Sequence, residues 1–92
     1  MLKVFSIFDI KAETYMESVS ARAVGEGLRN FEDALTDNRS SLSKHPDDFI
    51  LYELGEFNEE TGLFNLLVAP RELMRGSSLK KPETVPESAV QG

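Results

Sequence analysis

The sequence contains no cysteine and no tryptophan, and its one histidine is His45. The lack of cysteine excludes disulfide bonds, zinc fingers, iron–sulfur clusters and thiol nucleophiles. A small chain without disulfides is typical of a reducing cytoplasm. No apolar run approaches the roughly 20 residues that a membrane-spanning helix needs, and Met1–Phe5 does not begin a signal peptide. We therefore expect a cytoplasmic protein that does not contact membranes.

Cations are also scarce through most of the chain. Residues 1–69 hold six Lys and Arg against thirteen Asp and Glu, and residues 70–92 hold four against three, which gives a formal net charge of −6. Proteins that bind nucleic acid usually cluster cations, because these release counterions from the phosphates. The charge therefore disfavours direct binding of nucleic acid by residues 1–69. Acidic charge also keeps small proteins soluble without any partner.

What the sequence does contain predicts one α+β domain over residues 1–70, with the element order β-α-β-β. Runs of apolar residues predict strands over residues 2–10, 48–57 and 63–68,. Apolar residues spaced three and four apart predict an amphipathic helix over residues 21–37,. A length of 92 residues and a hydrophobic fraction of 40% suit one small globular domain,.

Local signals mark the ends of these elements. Ser20 is the predicted N-cap of the helix, since its hydroxyl can accept from a free backbone amide. Gly25 flanks the apolar stripe, so we expect the helix to approach the sheet closely there. Residues 58–62 (NEETG) predict a hairpin loop in which Gly62 supplies a positive φ,. After Pro70 the sequence predicts one helical turn over Arg71–Met74.

The predicted sheet has three strands, with the helix on one face. We expect the third strand to lie between the first two, and a right-handed crossover if those two run parallel. Alternation in the second long strand places Phe49, Leu51 and Phe57 on one face and puts Ile50, Tyr52 and Leu54 on the other. The face away from the helix is then apolar and open, which indicates an interface. A homodimer is one way to cover it.

The C-terminal residues 71–92 are predicted to form a tail outside the domain. From Gly76 onward the composition is polar and rich in Ser, Lys and Pro, with few apolar residues. Such a segment buries too little surface to offset its ordering entropy. We expect it to be flexible.

Candidate interaction residues are mostly acidic and surround the second long strand and its hairpin. They are His45, Asp47, Asp48, Tyr52, Glu53, Glu56, Glu59 and Glu60. Such a set can form an acidic dock for a basic protein, whereas the simpler interpretation is a solvated acidic face. Divalent-cation binding is a third interpretation, although the spacing is not that of an EF-hand loop.

The sequence offers little for catalysis. His45 with Asp47 and Asp48 could begin a metal or acid–base site, but metal sites need three or four converging ligands and no second histidine exists,. A structural or solvated His45 is the simpler interpretation. The sequence contains neither a nucleophile elbow nor a phosphate-binding glycine loop. We expect no catalytic residues, no metal and no cofactor, and hence a protein that is not an enzyme.

Aromatic residues on the predicted strands allow a further alternative. Their rings could stack on the bases of single-stranded DNA, although core packing is the commoner role of such residues and the acidic surroundings oppose stacking. The aromatic residues concerned are Phe5, Phe8, Tyr52, Phe57 and Phe64.

Three stretches, taken together, resemble a known family. They are residues 3–15 (KVFSIFDIKAETY), residues 31–34 (FEDA), and residues 44–57 (KHPDDFILYELGEF) leading into residues 59–62 (EETG). They are similar to the small nonstructural protein of gokushovirus-type microviruses, which are single-stranded DNA phages. The similarity covers about residues 1–70. Its motif positions are His45, Pro46, Tyr52, Gly55 and Gly62, for which we expect roles in building the fold.

The resemblance implies a function without a catalytic site. Members are taken to be absent from the mature virion and to act in the host cytoplasm. They have been likened to a small phage protein that switches replication from duplex DNA to the synthesis and packaging of single strands. A phage replication or procapsid protein is then the expected partner.

Overall fold

The computed structural model describes residues 1–78 of the chain. These residues form five strands, one long α-helix and two short 3₁₀ helices, and residues 76–78 are also helical. In chain order they are β1 (Leu2–Asp9), β2 (Thr14–Tyr15), β3 (Val19–Ala21), α1 (Val24–Thr36), 3₁₀ helices at Ser41–Lys44 and Pro46–Asp48, β4 (Phe49–Asn58) and β5 (Leu63–Arg75). The α+β class is confirmed, and the long elements follow the predicted order.

The strands form one antiparallel sheet in the order β2-β1-β4-β5, and β3 pairs with β1 as well. The prediction of three strands is wrong, because the connection after β1 folds back as β2 and β3. These two short strands pair with opposite ends of β1 and satisfy backbone groups on the edge that β4 leaves open,. The predicted strand order is also wrong. A short hairpin keeps β5 beside β4, so β4 and not β5 is central, and β1 and β4 run antiparallel.

The helix begins three residues later than predicted. Its N-cap is Ala23, which makes no side-chain capping bond, so the prediction of Ser20 as the cap is wrong. Ser20 belongs to β3 instead. The carboxylate of Glu26 reaches back and accepts from the backbone N–H of Arg22 at 2.8 Å. One backbone N–H just before the helix therefore has its hydrogen-bond acceptor in the first turn of the helix.

The core lies between α1 and one face of the sheet, called here the helix side. Phe5 and Leu51 on the sheet pack against Phe31 and Leu35 on the helix, and all four are buried. The apolar stripe of the helix therefore faces the sheet, as its spacing predicts.

Close contact between helix and sheet depends on a different glycine from the one predicted. A Cβ added to Gly27 would lie 2.7 Å from Cζ of Phe5, so only a residue without a side chain fits there. At Gly25 an added Cβ would meet no described atom within 4 Å. The prediction that the helix approaches the sheet closely at Gly25 is thus wrong, and Gly27 is the residue that allows this approach.

A bulge interrupts β4 at Leu54. The partners of the β1 neighbours Val4 and Phe5 are Gly55 and Glu53, so Leu54 is an extra residue in β4. Because side chains of a strand alternate between faces, one extra residue reverses the alternation beyond it.

The bulge moves Phe57 to the opposite face from Phe49 and Leu51, with which the sequence pattern grouped it. Gly55, with φ of +152°, allows this geometry. A Cβ at Gly55 would lie 2.5 Å from the carbonyl oxygen of Asn65 on β5. The backbones of β4 and β5 therefore approach too closely for any other residue to fit without rearrangement.

The hairpin loop between β4 and β5 is confirmed. Gly62 has a φ of +75°, and its N–H donates to the carbonyl of Asn58 at 2.8 Å. The side-chain Oδ1 of Asn58 accepts from the backbone N–H groups of Glu60 and Thr61, at 2.9 and 3.3 Å. The polar first residue of the loop therefore replaces bonds that the turning backbone cannot make.

The strand β5 does not stop at Pro70. Its register shifts there, because residues 67–70 lie opposite the single residue Leu54, and proline is tolerated at such a bulge. The prediction of a helical turn over Arg71–Met74 is wrong, since these residues continue the strand to Arg75. The predicted flexible tail falls largely on residues 79–92, which lie outside the described residues.

Candidate interaction surface

The predicted acidic dock does not form as one patch. His45, Asp47 and Asp48 lie at the start of β4, whereas Glu59 and Glu60 lie in the hairpin loop beyond its other end. Ten residues of strand span roughly 30 Å at about 3.3 Å per residue. The two groups of residues are therefore separated by the length of the sheet.

Two of the predicted carboxylates are neutralised by cations on neighbouring strands. Glu53 is 4% exposed and forms an ion pair with the guanidinium of Arg71 on β5. Glu56 accepts from Nζ of Lys3 on β1 at 2.6 Å. This hydrogen bond raises the pKa of Lys3 and lowers the pKa of Glu56 from their usual values. Both carboxylates thus support the sheet, and a dock would have to compete with their partners.

His45 connects the two 3₁₀ helices. Its backbone N–H donates to the carbonyl of Leu42 at 3.3 Å, and its own carbonyl accepts from Asp48 at 3.0 Å. Pro46 begins the second 3₁₀ helix. In the part of the chain that the structure describes, no three His, Asp or Glu side chains gather in a way that could hold a metal ion.

The second face of the sheet carries several aromatic side chains. The pairing of β1 with β2 and β4, and of β4 with β5, places five rings on the face opposite the helix. We call this surface the aromatic face; it consists of Phe8, Tyr15, Tyr52, Phe57 and Phe64.

Ring contacts join the aromatic face into two groups. Phe8, Tyr15 and Tyr52 form a triangle with centroid separations of 4.9, 5.5 and 6.4 Å. Phe57 and Phe64 form a pair with centroids 4.9 Å apart. Such tilted and edge-on pairs are the favoured aromatic geometries. The rings are therefore held in place while part of their surface faces solvent.

Beneath the rings the aromatic face is closed. Val4, Ser6 and Ile50 are buried there, and the hydroxyl of Ser6 donates to the carbonyl of Met16 at 2.7 Å. The backbone N–H of Met16 donates to the carbonyl of Ile7 at 2.8 Å, so the segment after β2 is held along β1. The expectation of a fully open second face thus changes to a face whose centre is packed and whose aromatic edges are exposed.

The aromatic residues grouped on the predicted strands include one that packs in the core and omit one of the aromatic face. Phe5 is fully buried on the helix side, where it has the commoner role of core packing. Tyr15 was not among them, yet it lies on β2 and is exposed at the rim of the triangle. The adjacent Thr14 and Tyr15, both of which favour strands, were the available signal.

Apolar side chains are also exposed along β5. The exposed residues of this strand include Leu63, Phe64, Leu66, Leu67 and Val68. Phe64 is 60% and Leu66 is 61% exposed. Single exposed apolar residues need no explanation, but a run of them on one strand marks a contact surface.

A small apolar pocket lies on the helix side, between β1, β3 and α1. Its volume is ≈ 240 Å³, and core residues such as Phe5, Ala21 and Phe31 line it, together with the exposed Val19 and Asn30.

Within residues 1–78, the structure contains no helix with the length and apolar character that a membrane span requires.

Comparison with known families gives one match. The family model described as Phage ORF5 protein matches residues 2–79 of this chain. The chain belongs to the Phage ORF5 protein family. No curated protein and no solved structure matches the chain. The matched region contains all the strands and the helix α1 described above, so the family shares the part of the chain that carries the aromatic face.

Proposed function

We propose that this protein is a non-enzymatic accessory protein of a gokushovirus-type microvirus. It supports the synthesis and packaging of the single-stranded DNA genome by binding a phage replication or procapsid protein. It acts in the host cytoplasm and is absent from the mature virion. The aromatic face, with its exposed rim at Tyr15 and Phe64, is the observation that carries the proposal.

The physical case rests on what an exposed aromatic rim contributes to binding. Aromatic residues dominate the energetics of protein interfaces, because they bury a large area at little cost in side-chain entropy. The rings on this face are already held by their neighbours. A partner therefore does not have to order them on binding, and the loss of affinity that such ordering causes is avoided.

Affinity purification of the tagged protein from phage-infected cells tests this proposal. Wild-type protein is expected to recover a phage replication or procapsid protein, and a Tyr15→Ala, Phe64→Ala variant is expected to recover less of it. Val19→Ala is the matched control, since Val19 is an exposed apolar residue on the helix side. Recovery of neither phage protein by the wild type, or equal recovery by all three proteins, would contradict the proposal.

A second candidate function is direct binding of single-stranded DNA through the same face. Base stacking on an aromatic side chain contributes about 1–3 kcal/mol per base, and five aromatic side chains on one face favour this candidate. Charge opposes it. Lys3, Arg39, Arg71 and Arg75 are engaged in ion pairs with carboxylates, and the net charge is −6.

Fluorescence anisotropy with a labelled oligonucleotide at low salt separates the two candidates. If DNA is the ligand, binding weakens as salt rises, and the Tyr15→Ala, Phe64→Ala variant binds less tightly than Val19→Ala. The absence of salt-sensitive binding at micromolar protein would end this second candidate.

A further inference from the structure

The outer edge of β5 is the least protected part of the sheet. β5 is the terminal strand of the order β2-β1-β4-β5, and within residues 1–78 it pairs with β4 alone. None of the described residues pairs with the backbone N–H and C=O groups of its other edge. Proteins usually protect such an edge with charges, shortness, proline or a bulge.

The first half of β5 has none of these protections. Residues 63–67 (LFNLL) contain no charge and no proline, and all five are exposed. The bulge begins at the last of these residues, Leu67, and Pro70 lies beyond it. An uncharged segment, with four apolar residues around Asn65, is thus left open to pairing.

We propose that this segment pairs antiparallel with the same segment of a second copy of the chain. The two-fold axis passes through Asn65, so that Phe64 lies opposite Leu66 of the other copy and Leu63 lies opposite Leu67. Antiparallel pairing about a two-fold axis lets one segment serve as both partners. The bulge at residues 67–70 sets the limit of the pairing.

Charge favours a second copy over a basic protein at this edge. Each chain carries a net charge of −6, so two copies repel wherever acidic surfaces meet. Residues 63–67 are uncharged, and contact there brings no carboxylate against another. A basic partner would find no carboxylate within this segment to bind.

The axis stands perpendicular to the sheet, because edge pairing continues the sheet from one copy into the other. The aromatic faces of both copies then lie on the same side, and Phe64 of each copy lies close to the junction. This arrangement differs from a dimer that packs face to face, since it leaves both aromatic faces exposed. The proposal of this dimer does not depend on the proposed function.

Sedimentation equilibrium of the purified full chain tests the dimer without phage proteins or DNA. We expect a monomer–dimer equilibrium with Kd on the order of micromolar. The loss of translational and rotational freedom on association offsets much of the free energy that pairing of so short a segment provides. Leu66→Lys is expected to raise Kd by about tenfold or more, since it places a charge in the junction. Val19→Lys is the matched control and is expected to leave Kd unchanged. A wild-type monomer at all concentrations, or a dimer equally weakened by both variants or by neither, would overturn the proposal.

Cross-linking provides a second measurement that does not depend on Leu66→Lys being folded. The chain has no cysteine, so Asn65→Cys introduces a single thiol that would meet its own copy at the axis. With oxidised glutathione, two such thiols form one disulfide and two glutathione molecules are released as thiols. Directly opposed residues lie within disulfide range, so Asn65→Cys is expected to form covalent dimers faster than Val19→Cys. Equal rates would place the contact elsewhere.

Discussion

Gly55 is the residue on which the geometry of β4 depends most directly. Its positive φ and the carbonyl of Asn65, 2.5 Å from where a Cβ would lie, leave no room for a side chain. Gly55→Ala is expected to lower the free energy of unfolding by about 2 kcal/mol or more, because backbone strain and a steric clash add. Urea denaturation measures the change.

The matched control is Gly25→Ala. Gly25 lies within α1, and a Cβ there meets no described atom within 4 Å. Alanine is therefore expected to stabilise the protein by up to about 1 kcal/mol, as in an ordinary helix. A stable Gly55→Ala protein, or a destabilised Gly25→Ala protein, would contradict this account of the two glycines.

Glu53 is a buried carboxylate whose partner reaches it from solvent. Arg71→Ala removes the guanidinium and leaves the carboxylate without its cation. We expect the free energy of unfolding to fall by about 1–2 kcal/mol. This is at the low end for a buried ion pair, because the side chain of Arg71 is largely exposed,.

A double-mutant cycle separates this charge effect from lost packing. Glu53→Gln removes the charge but keeps the shape, so it is expected to restore part of the stability of the Arg71→Ala protein. If the effects of the two substitutions on the free energy of unfolding are additive, the ion pair does not stabilise the fold.

At the scale of elements, the helix offers a direct test of where it begins. Ala23 has extended backbone angles (φ −148°, ψ 160°) and makes no capping bond through its side chain. Ala23→Ser is expected to stabilise the protein by about 0.5–1 kcal/mol, because a hydroxyl at this position can accept from a free amide. Thermal unfolding followed by circular dichroism measures the gain.

Ser20→Ala is the control for the same test. The sequence suggested Ser20 as the cap, but Ser20 lies in β3 and pairs with Val4. Its hydroxyl is not expected to contribute to helix capping, so the substitution should leave the unfolding temperature nearly unchanged. A clear loss with Ser20→Ala and no gain with Ala23→Ser would restore the original assignment.

The sequence predicted those elements whose patterns are long and regular. The period of α1, the apolar run of β1 and the glycine-containing hairpin loop each gave a correct element. The short strands β2 and β3 were missed, because two or three residues carry no readable period and their formation depends on the free edge of β1. The helical turn assigned to Arg71–Met74 was wrong for a related reason: pairing with β4 overrides a local preference.

The candidate site was less predictable than the fold. The acidic residues were recognised from their clustering in sequence, but their separation into two groups follows from the length of β4. The pairing of Glu53 with Arg71 and of Glu56 with Lys3 requires the register between strands, which a single sequence does not show. The position of Phe57 on the aromatic face depended on a bulge that alternation alone cannot locate.

At the scale of the whole molecule, ion pairs predict how stability varies with pH. Glu56 has its pKa lowered from 4.5 by Lys3, so its contribution is present above pH 4.5 and is lost as pH falls through the lower folded value. Lys3 has its pKa raised from 10.5, so its contribution is present below pH 10.5 and is lost as pH rises through the higher folded value. Between these limits we expect the contribution of the pair to be constant.

The variant Lys3→Met removes the pair and tests this expectation. Melting temperatures of both proteins, measured across pH in low salt, should differ most between the two limits and converge outside them. High salt should reduce the difference, because both side chains are partly exposed to solvent, at 31% and 30%,. A difference that stays constant at every pH would mean that the lysine acts through packing and not through charge.

The bulge at Leu54 has a consequence for how this chain can change in length. In a regular strand, Glu53 and Glu56 would point in opposite directions, yet here their partners Phe5 and Lys3 lie on the same face of β1. Deleting Leu54 would remove the extra residue, and the residues on either side of it would keep their partners on β1 and their faces of the sheet,. Phe57 would stay on the aromatic face. Deleting any other residue of β4 would instead turn the side chains beyond it over to the other face. Leu54 is thus the position at which this strand can shorten without a shift of phase for a whole surface, whereas a deletion in the hairpin loop changes only the length of a connection.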